Sequence, residues 1–500
     1  MTSSGLRRRV MVLGAEQLPG PPTDGVETIY VQSRASRPDL AIRYPDRYFE
    51  VDPDTDEVEG LTSSVLAWYE PDEVVGPPTT RAVADRVRAA LAAPPAPREA
   101  LPAPGPRPRT LLAHRHVADV LYGPDGPLLP HGVDFYYLSH NRGGLDVYDP
   151  DAFRRTWIID YGDFDEVRVV VRWAVRHFGL DRLVTLHEKA ISLVADLRAE
   201  LGLPGLQPHQ ALAFRDKPTM KETISARTGL RVPRYRVIGS GADLAGFAAP
   251  PSGVVVKPVD GLGAEKTAWY PNAEAAREAW ESSPPNGGRY EIEEFVPGAI
   301  FHVDSAVQDG KVVLAGVSEY LSPPMDIEPG GDLASVLHPE SDLTERLRDA
   351  NQEALSALGL EDGVGHAEFF VTPDDEIVFC EAAARPGGAG VDAVTRRALG
   401  LGMVGAALSL ESGLTVRVPD HEPRTVGWLG FYPDPRRRGG LDPARFADLG
   451  IVEHKGNSFA GVVGGLPRHS VEFVDRYVIE APDVDTLRAV VDEIRAEYWA

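Results

Sequence analysis

Residues 365–388, GHAEFFVTPDDEIVFCEAAARPGG, contain two short apolar runs separated by a polar turn. The runs predict two β-strands joined as a hairpin through residues 372–375. In such a hairpin Glu368 and Glu381 lie side by side, and carboxylate oxygens are the ligands that hard divalent cations prefer. Arg385 follows four positions after the second carboxylate. Because a transferring phosphoryl group requires fixed positive charge from metal and guanidinium, this stretch predicts an ATP-using centre.

Composition limits the class of protein. The chain has 500 residues, of which 43% are hydrophobic, and this length predicts several domains with well-filled cores. The formal net charge of −24 repels nucleic-acid phosphates, so we expect no nucleic-acid partner. A single cysteine, Cys380, excludes an internal disulfide framework and cysteine-clustered metal sites. We see no apolar run long enough for a membrane span or a secretory signal, and we expect a cytoplasmic protein without a membrane partner.

The first part of the chain has α/β character. Strand patterns at 10–13 and 29–31 and a helical pattern at 80–91 predict an N-terminal α/β unit over residues 1–91. The proline-rich residues 92–109 predict a semi-rigid connector. A Rossmann-like unit is predicted over residues 110–210, with strands at 135–138, 157–159 and 183–186 and a helix that ends at Gly202.

Two lysines and a glycine loop indicate a phosphate site. Lys217 opens a helix behind Asp216, which is a suitable N-cap, and Lys257 ends an apolar strand. Gly261, Leu262 and Gly263 follow in a loop that is suited to bring backbone N–H groups close to phosphates. Taken singly, such a lysine is usually solvated and such a glycine pair usually closes a hairpin. The loop matches neither the P-loop nor the dinucleotide fingerprint, so the order and spacing of the features carry the prediction.

A hinge-like segment completes the pattern. Residues 291–298 read EIEEFVPG, and FHVD at 301–304 lies on the next predicted strand. With the lysine helix, the VKP strand and the pair of glutamates, this order of motifs resembles the ATP-grasp superfamily over about 200 residues, from Asp216 to Glu411. Within that superfamily the chain resembles the carboxylate–amine ligase branch, which includes amino-acid ligases that make dipeptides.

The resemblance implies roles in ATP binding. Lys217 and Lys257 would contact the α- and β-phosphates, and the glycine loop would fold over the β- and γ-phosphates. Adenine would be bound by the main chain of Glu294 and Val296 in the hinge, on either side of Phe295, with the Glu293 side chain nearby. An extended segment offers the donor and the acceptor that adenine needs.

The resemblance also implies the metal site. Glu368 and Glu381 would hold Mg²⁺, in two sites and with Mn²⁺ as an alternative, against the nucleotide oxygens. Arg385 would stabilise the departing γ-phosphoryl group and then an acyl phosphate.

Two positions depart from the family pattern. Residue 300 is Ile where many members have a ribose-binding glutamate, and His302, two residues later on the same strand face, is predicted to take that role. Residue 383 is Ala where many members have an asparagine that completes the metal site. Water can replace that ligand, since Mg²⁺ commonly keeps several waters.

Four residues are substrate candidates. Glu188 follows a predicted strand and either lines the cleft or begins a solvated helix. Tyr320 opens the Pro- and Gly-rich segment 320–338, which we expect to be a lid or substrate loop. Gly387 and Gly388 follow Arg385, where backbone N–H groups would receive a substrate carboxylate or an oxyanion, or would simply close a turn.

Two neighbouring residues invite other interpretations. His366 and Glu368 resemble the His-x-Glu of zinc deaminases, but those enzymes need a Cys-x-x-Cys that one cysteine cannot supply. His366 alone is more often a packed or hydrogen-bonded strand residue than a catalyst. Strand alternation predicts that Cys380 points away from Glu381 and is a small buried hydrophobe.

We therefore expect a mixed α/β and α+β protein. An ATP-grasp fold, with a small subdomain at 211–298 and a large one at 299–424, would follow one or two Rossmann-like units, and an α+β lobe at 425–500 would close it. The expected activity is ADP-forming ligation of a small-molecule acid to an amine, through an acyl phosphate, with amino acids or a peptide among the substrates. A phosphotransferase and a catalytically lapsed ATP-binding module are the alternatives. The sequence leaves both substrates open, and likewise the choice between monomer and homodimer.

Overall fold

The computed structural model describes residues 8–13, 26–33, 48–51, 73–75, 107–114, 118–124, 126–140, 152–159, 164–285, 287–434, 436, 439–456 and 473–499. The chain divides into two compact units, one of residues 1–207 with 411–413 and one of residues 208–410 with 414–500. The predicted helix at 80–91 and most of the proline-rich connector lie outside the described residues. Among the described residues, no helix is both long and apolar enough to cross a membrane.

The first unit opens with a parallel four-stranded sheet. Its strand order is β3-β2-β1-β4. The two strands predicted at 10–13 and 29–31 are present in it as β1 and β2. The bounds are β1 Arg8–Leu13, β2 Val26–Ser33, β3 Tyr48–Val51 and β4 Glu73–Val75.

A second parallel sheet follows in the same unit, with strand order β10-β5-β8-β9. Its strands are β5 Arg109–His114, β8 Asp134–His140, β9 Arg155–Ile159 and β10 Arg182–Val184, and a short hairpin is formed by β6 Tyr122–Gly123 and β7 Gly126–Pro127. Helices α1 Phe164–Phe178 and α2 Ile191–Leu201 bury their apolar faces in the same core as strand residues such as Leu111. Gly202 ends α2 with a φ of 68°, the left-handed cap that glycine adopts without strain.

The second unit contains a four-stranded antiparallel sheet of order β11-β14-β12-β13. Its strands are β11 Tyr235–Ile238, β12 Val254–Pro258, β13 Ala268–Tyr270 and β14 Tyr290–Glu294. Three helices accompany it in the chain: α3 Pro208–Arg215, α4 Lys217–Arg227 and α5 Ala273–Ser282. As predicted, Asp216 caps α4, where its side chain accepts from the Thr219 N–H at 3.0 Å.

The same unit contains an eight-stranded sheet of order β19-β18-β15-β16-β17-β20-β22-β21, antiparallel throughout. Its strands are β15 Ala299–Gln308, β16 Lys311–Tyr320, β17 Asp332–Leu337, β18 Gly363–Val371, β19 Ile377–Ala383, β20 Thr425–Phe431, β21 Ile451–Gly456 and β22 Asp475–Ala481. The helices are α6 Asp342–Leu358, α7 Val391–Leu399, α8 Met403–Glu411 and α9 Val484–Tyr498.

Two features of this sheet differ from what the sequence pattern indicates. The segment 320–338 is predicted to be a loop, but its second half is strand β17, whose residues 333–337 are all buried. Strands β20, β22 and β21 of the predicted C-terminal lobe continue the sheet that carries the two glutamates, through the pairing of β17 with β20. The lobe therefore shares a sheet with the candidate site.

Candidate active site

The hairpin of β18 and β19 places the two predicted metal-binding carboxylates opposite each other. Glu368 pairs with Glu381 across the ladder, and the turn is closed by a hydrogen bond from the Thr372 N–H to the Glu376 carbonyl at 3.0 Å. Between Glu368 and Phe369 the register shifts, because Phe369 pairs with Phe379. Cys380 is therefore the extra residue of a β-bulge.

The bulge overturns the prediction for Cys380. Cys380 and Glu381 are both partly exposed, whereas the flanking Phe379 and Ala382 are buried, so simple alternation does not hold here. Burial raises the pKa of the Cys380 thiol, with Lys257, Glu381, Glu368 and Glu293 as its charged neighbours. Cys380 thus faces these four charged side chains.

Each carboxylate has a polar partner that the sequence also singled out. The Tyr320 hydroxyl donates to Glu368 Oε1 at 3.2 Å, and burial, followed by the Glu368 charge, raises the pKa of Tyr320 well above its ordinary value. Lys217 Nζ lies 3.2 Å from Glu381 Oε2. Both carboxylates therefore lie within a cluster that also contains one of the two predicted phosphate-binding lysines.

Lys217 also connects the carboxylates to the glycine loop. Its Nζ donates to the Gly261 carbonyl at 2.8 Å, and its backbone N–H donates to the Val259 carbonyl at 2.9 Å. Within the loop Gly263, Ala264 and Lys266 all have φ between 57° and 58°. Non-glycine residues held in this left-handed region are strained, and such strain clusters at ligand clamps. The loop is therefore a preformed, strained turn directly beside Lys217.

Behind the loop lies a buried cluster of four charged side chains, Lys221, Lys257, Glu291 and Glu293. Lys257 Nζ is 2.6 Å from Glu293 Oε1, and Lys221 Nζ is 2.6 Å from both Glu293 Oε2 and Glu291 Oε1. Burial alone would raise the pKa of Glu293, but the two ammonium groups hold it below its ordinary value. Sequence reasoning missed Lys221 and Glu291. The signal available in the sequence was their spacing. Lys221 lies four residues after Lys217 on a helix, and Glu291 lies two residues before Glu293 on a strand, so each shares a face with a predicted ligand.

The hinge segment contains the main-chain groups that the adenine prediction uses. The Glu294 and Phe295 N–H groups donate to the Arg234 and Gly253 carbonyls. The Glu294 side chain accepts from Arg231 at 2.8 Å and from Arg234 at 2.7 Å, so it secures the hinge to the residues just before β11. Val296 is buried beside it. The prediction for adenine then concerns the Glu294 carbonyl and the Val296 N–H.

His302 takes part in a hydrogen-bond network that the sequence did not reveal. Its Nδ1 is 2.6 Å from Asp304 Oδ2 and its Nε2 is 2.7 Å from Ser335 Oγ. Asp304 Oδ1 is in turn 2.8 Å from His366 Nδ1, and His366 Nε2 lies 3.5 Å from Glu368 Oε1. With 1% exposure and both ring nitrogens engaged, His302 has no nitrogen left for a ribose hydroxyl, which contradicts its predicted role. The signal missed in the sequence was that His302 and Asp304 lie two residues apart on one strand and so share a face. Asp304 pairs with His366 on the neighbouring strand.

Opposite charges on Asp304 and His366 stabilise this network, as the shifts in their pKa values indicate. Burial would raise the pKa of Asp304, but the His366 and His302 rings hold it well below its usual range. Burial would lower the pKa of His366, but the Asp304 carboxylate raises it to about 10. His302, Asp304 and His366 have ligand atoms close enough together for a metal ion. Each Asp304 oxygen is already bound by a different ring, so we interpret the group as a hydrogen-bond network.

Replacing Asp304 by Asn is expected to lower the free energy of unfolding by about 3 kcal/mol at pH 7, because two buried rings lose their ionic partner. The Asp304 contribution is complete above the ordinary aspartate pKa of about 4 and declines progressively below it, as pH falls toward the lower pKa of the folded state. The His366 contribution is complete below about pH 6.5 and is lost as pH rises toward about 10. The difference between wild type and variant, measured by denaturant unfolding, should therefore be largest near pH 5–6. A difference in the free energy of unfolding that stays constant from pH 3.5 to 10 would contradict this expectation. So would a difference no larger than the one caused by the control Asp420→Asn, at an exposed position.

Arg385 and the glycine turn follow β19. Arg385 Nη1 donates to the Pro386 carbonyl at 2.8 Å. A Cβ at Gly387 would lie 2.7 Å from Asp304 Oδ1, and one at Gly390 would lie 2.3 Å from Trp428 Cγ. Close packing therefore accounts for glycine at 387 and 390. Gly388 is exposed, and its substrate role, like that of Gly387, stays a prediction.

Glu188 lies in the first unit, at the start of the short 3₁₀-helix Glu188–Ala190. Its side chain is partly buried. Its predicted contact with substrate stays a prediction. The other site residues, from Lys217 to Gly388, all belong to the second unit.

Comparison with known proteins gives one similar sequence and two similar structures that are informative, while no family model matches the chain. An L-arginine-specific L-amino acid ligase of Bacillus subtilis is 23% identical over 332 residues, which are 63% of this chain and 72% of the relative. The structure of an L-amino acid ligase from Bacillus licheniformis superposes with a TM-score of 0.60 at 20% identity, covering 78% of this chain and 98% of that one. Carboxyaminoimidazole ribonucleotide synthase from Aspergillus clavatus, complexed with ATP, gives a TM-score of 0.57 at 14% identity, covering 78% of this chain and 99% of that one.

Proposed function

We propose that this chain, an ATP-grasp protein related to the carboxylate–amine ligases, is an ATP-dependent, ADP-forming ligase that joins a carboxylic acid to an amine. The likeness to solved structures confirms the ATP-grasp fold predicted from the sequence. The observation that carries the proposal is the convergence of Glu368, Glu381, Lys217 and the strained glycine loop in one unit.

The chemistry follows from what a carboxylate lacks. A carboxylate is a poor electrophile until one of its oxygens becomes a good leaving group. In the proposed first step a substrate carboxylate oxygen attacks the γ-phosphorus of ATP, the bond to the bridging oxygen breaks, and ADP leaves. In the second step the amine nitrogen attacks the acyl carbon, inorganic phosphate leaves with the former carboxylate oxygen, and the amine loses a proton. The product is an amide, one water lighter than its two substrates.

The carboxylate pair fits a divalent cation. Glu368 and Glu381 present oxygen ligands from paired positions of adjacent strands, the donor type that Mg²⁺ and Mn²⁺ prefer. When bound there, the metal would neutralise charge on the nucleotide phosphates. Ala383 is buried and offers no ligand, so water would complete the coordination. Lys217 lies close enough to Glu381 to balance its charge before the metal binds.

The other residues would bind and orient ATP. Lys217 and Lys257 would contact the α- and β-phosphates, and backbone N–H groups of residues 261–263 would contact the β- and γ-phosphates. The Glu294 carbonyl and the Val296 N–H would bind adenine. Arg385 would stabilise charge on the γ-phosphoryl group during transfer and then the acyl phosphate.

Amino acids are the substrate class that we propose. The Bacillus subtilis relative is described as specific for L-arginine, and the Bacillus licheniformis neighbour as an L-amino acid ligase. An amino acid or a peptide would supply the amine, and an amino acid or another small carboxylic acid would supply the acyl group. Tyr320, Gly387 and Gly388, all in the second unit, are the proposed substrate contacts. Glu188, in the first unit, stays a prediction from the sequence alone.

The proposal is tested by incubating the purified protein with Mg²⁺-ATP and amino acids, singly and in pairs. We expect ADP and phosphate in equal amounts, together with a product whose mass equals the sum of two substrates minus one water. ADP with a phosphorylated single substrate would instead indicate a phosphotransferase. ATP binding without turnover for any acid and amine would indicate a lapsed binding module.

A further inference from the structure

The buried charge cluster contains more than the predicted ATP ligand Lys257. Its four side chains carry two positive and two negative charges, and every residue in it is at most 7% exposed. Lys221 and Glu291 are fully buried, at 0%. Burying unpaired charge is costly, so the cluster requires this balance.

Lys221 is the central cation of the cluster. It contacts Glu291 Oε1 and Glu293 Oε2, each at 2.6 Å, from helix α4. Its Nζ also lies 4.8 Å from the centroid of the Tyr235 ring, which holds the ammonium from another side. Because Lys221 is fully buried, it cannot contact a bound nucleotide itself, so any effect that it has on binding must act through its neighbours.

Lys257 is held differently. It makes one close ion pair, 2.6 Å to Glu293 Oε1, and lies 4.0 Å from Glu291 Oε1 although Glu291 is its direct partner across the β12–β14 ladder. Among the described residues, Glu291 Oε2 has no hydrogen-bond partner. An unpaired carboxylate oxygen on the residue opposite Lys257 is therefore a second acceptor that the Lys257 ammonium does not use.

We propose that Lys221 is a positioning residue for nucleotide binding: by neutralising Glu291 and Glu293, it keeps Lys257 available to the ATP phosphates. Without Lys221, two carboxylates would share one ammonium, and Lys257 would be drawn between them. One negative charge would also remain uncompensated behind the phosphate site. This inference rests on the proposed ATP-binding function and assigns Lys221 and Glu291 to the nucleotide site as an internal ion pair.

The charge argument predicts an order of affinities. Lys221→Met should raise the dissociation constant for Mg²⁺-ATP by about 10- to 100-fold, the effect of one charge several ångströms away at intermediate dielectric. Glu291→Gln removes a negative charge that competes for Lys257, so this variant should bind ATP more tightly than wild type. The double variant Lys221→Met/Glu291→Gln is again neutral, so its dissociation constant should return to within about threefold of wild type.

The experiment measures Mg²⁺-ATP binding by calorimetry and melting temperature for wild type, the three variants and Lys311→Met, an exposed control lysine on β16. Rescue of binding in the double variant is the expected result. If the double variant binds as weakly as Lys221→Met, Lys221 serves folding or packing only and the inference is overturned. If Lys221→Met does not fold, the net-neutral double variant decides: a dissociation constant raised more than tenfold overturns the inference. Absence of ATP binding by wild type would overturn the proposed function as well.

Discussion

Glu381→Gln is expected to lower ADP formation about 10³-fold or more, because the amide removes a charged oxygen ligand where metal charge must meet the nucleotide phosphates. The variant should keep its fold, because the Glu381 side chain is 32% exposed to solvent and is therefore not part of the buried core. The loss should be visible in saturating ATP, amino acids and Mg²⁺, with ADP release followed by a coupled assay. Raising the Mg²⁺ concentration should recover only part of the activity.

The matched control is Asp374→Asn. Asp374 is an exposed carboxylate in the turn of the same hairpin, and its replacement should leave ADP release within about twofold of wild type. Wild-type activity in Glu381→Gln would exclude this carboxylate from the metal site. Equal losses in both variants would instead point to damage to the hairpin.

Arg385→Ala is expected to lower kcat by about 10²- to 10³-fold with little change in the KM for ATP. The guanidinium is proposed to act on charge that grows on the γ-phosphoryl group during transfer, so its loss should affect the transition state more than the bound nucleotide. Arg385→Lys should recover only part of the rate, because an ammonium lacks the planar fork of donors.

Steady-state kinetics at varied ATP separate these effects. Arg277→Ala, which removes a partly exposed arginine on α5 far along the chain from Arg385, is the control and should leave both constants unchanged. A large rise in the KM for ATP at unchanged kcat would contradict the proposed role and place Arg385 in ground-state binding.

Local sequence signals located the parts of the site that lie on single elements. The apolar runs and polar turn around Glu368 and Glu381 define a hairpin whose pairing brings the two residues together. The cap at Asp216 and the strand before Lys257 place the lysines in the same way. These features depend on neighbours within a few residues, which sequence patterns report directly.

The missed features depend on contacts between distant segments. Asp304 matters because His366, 62 positions away, lies on the adjacent strand, and Lys221 matters because Glu291 is 70 positions away. Cys380 was misplaced because a bulge breaks the alternation that the prediction assumed. Strand β17 was missed because the Pro- and Gly-rich residues before it obscure a short buried strand.

The central claim is that a carboxylate oxygen is transferred to phosphate, and isotope labelling tests it most directly. The protein would be given Mg²⁺-ATP and an equimolar mixture of amino acids with ¹⁸O in their carboxyl groups, and the released phosphate analysed by mass spectrometry. The proposed acyl phosphate predicts one ¹⁸O in each phosphate and as much labelled phosphate as ADP. Unlabelled phosphate formed together with ADP would show that water, and not a carboxylate, attacks ATP, and would contradict the account.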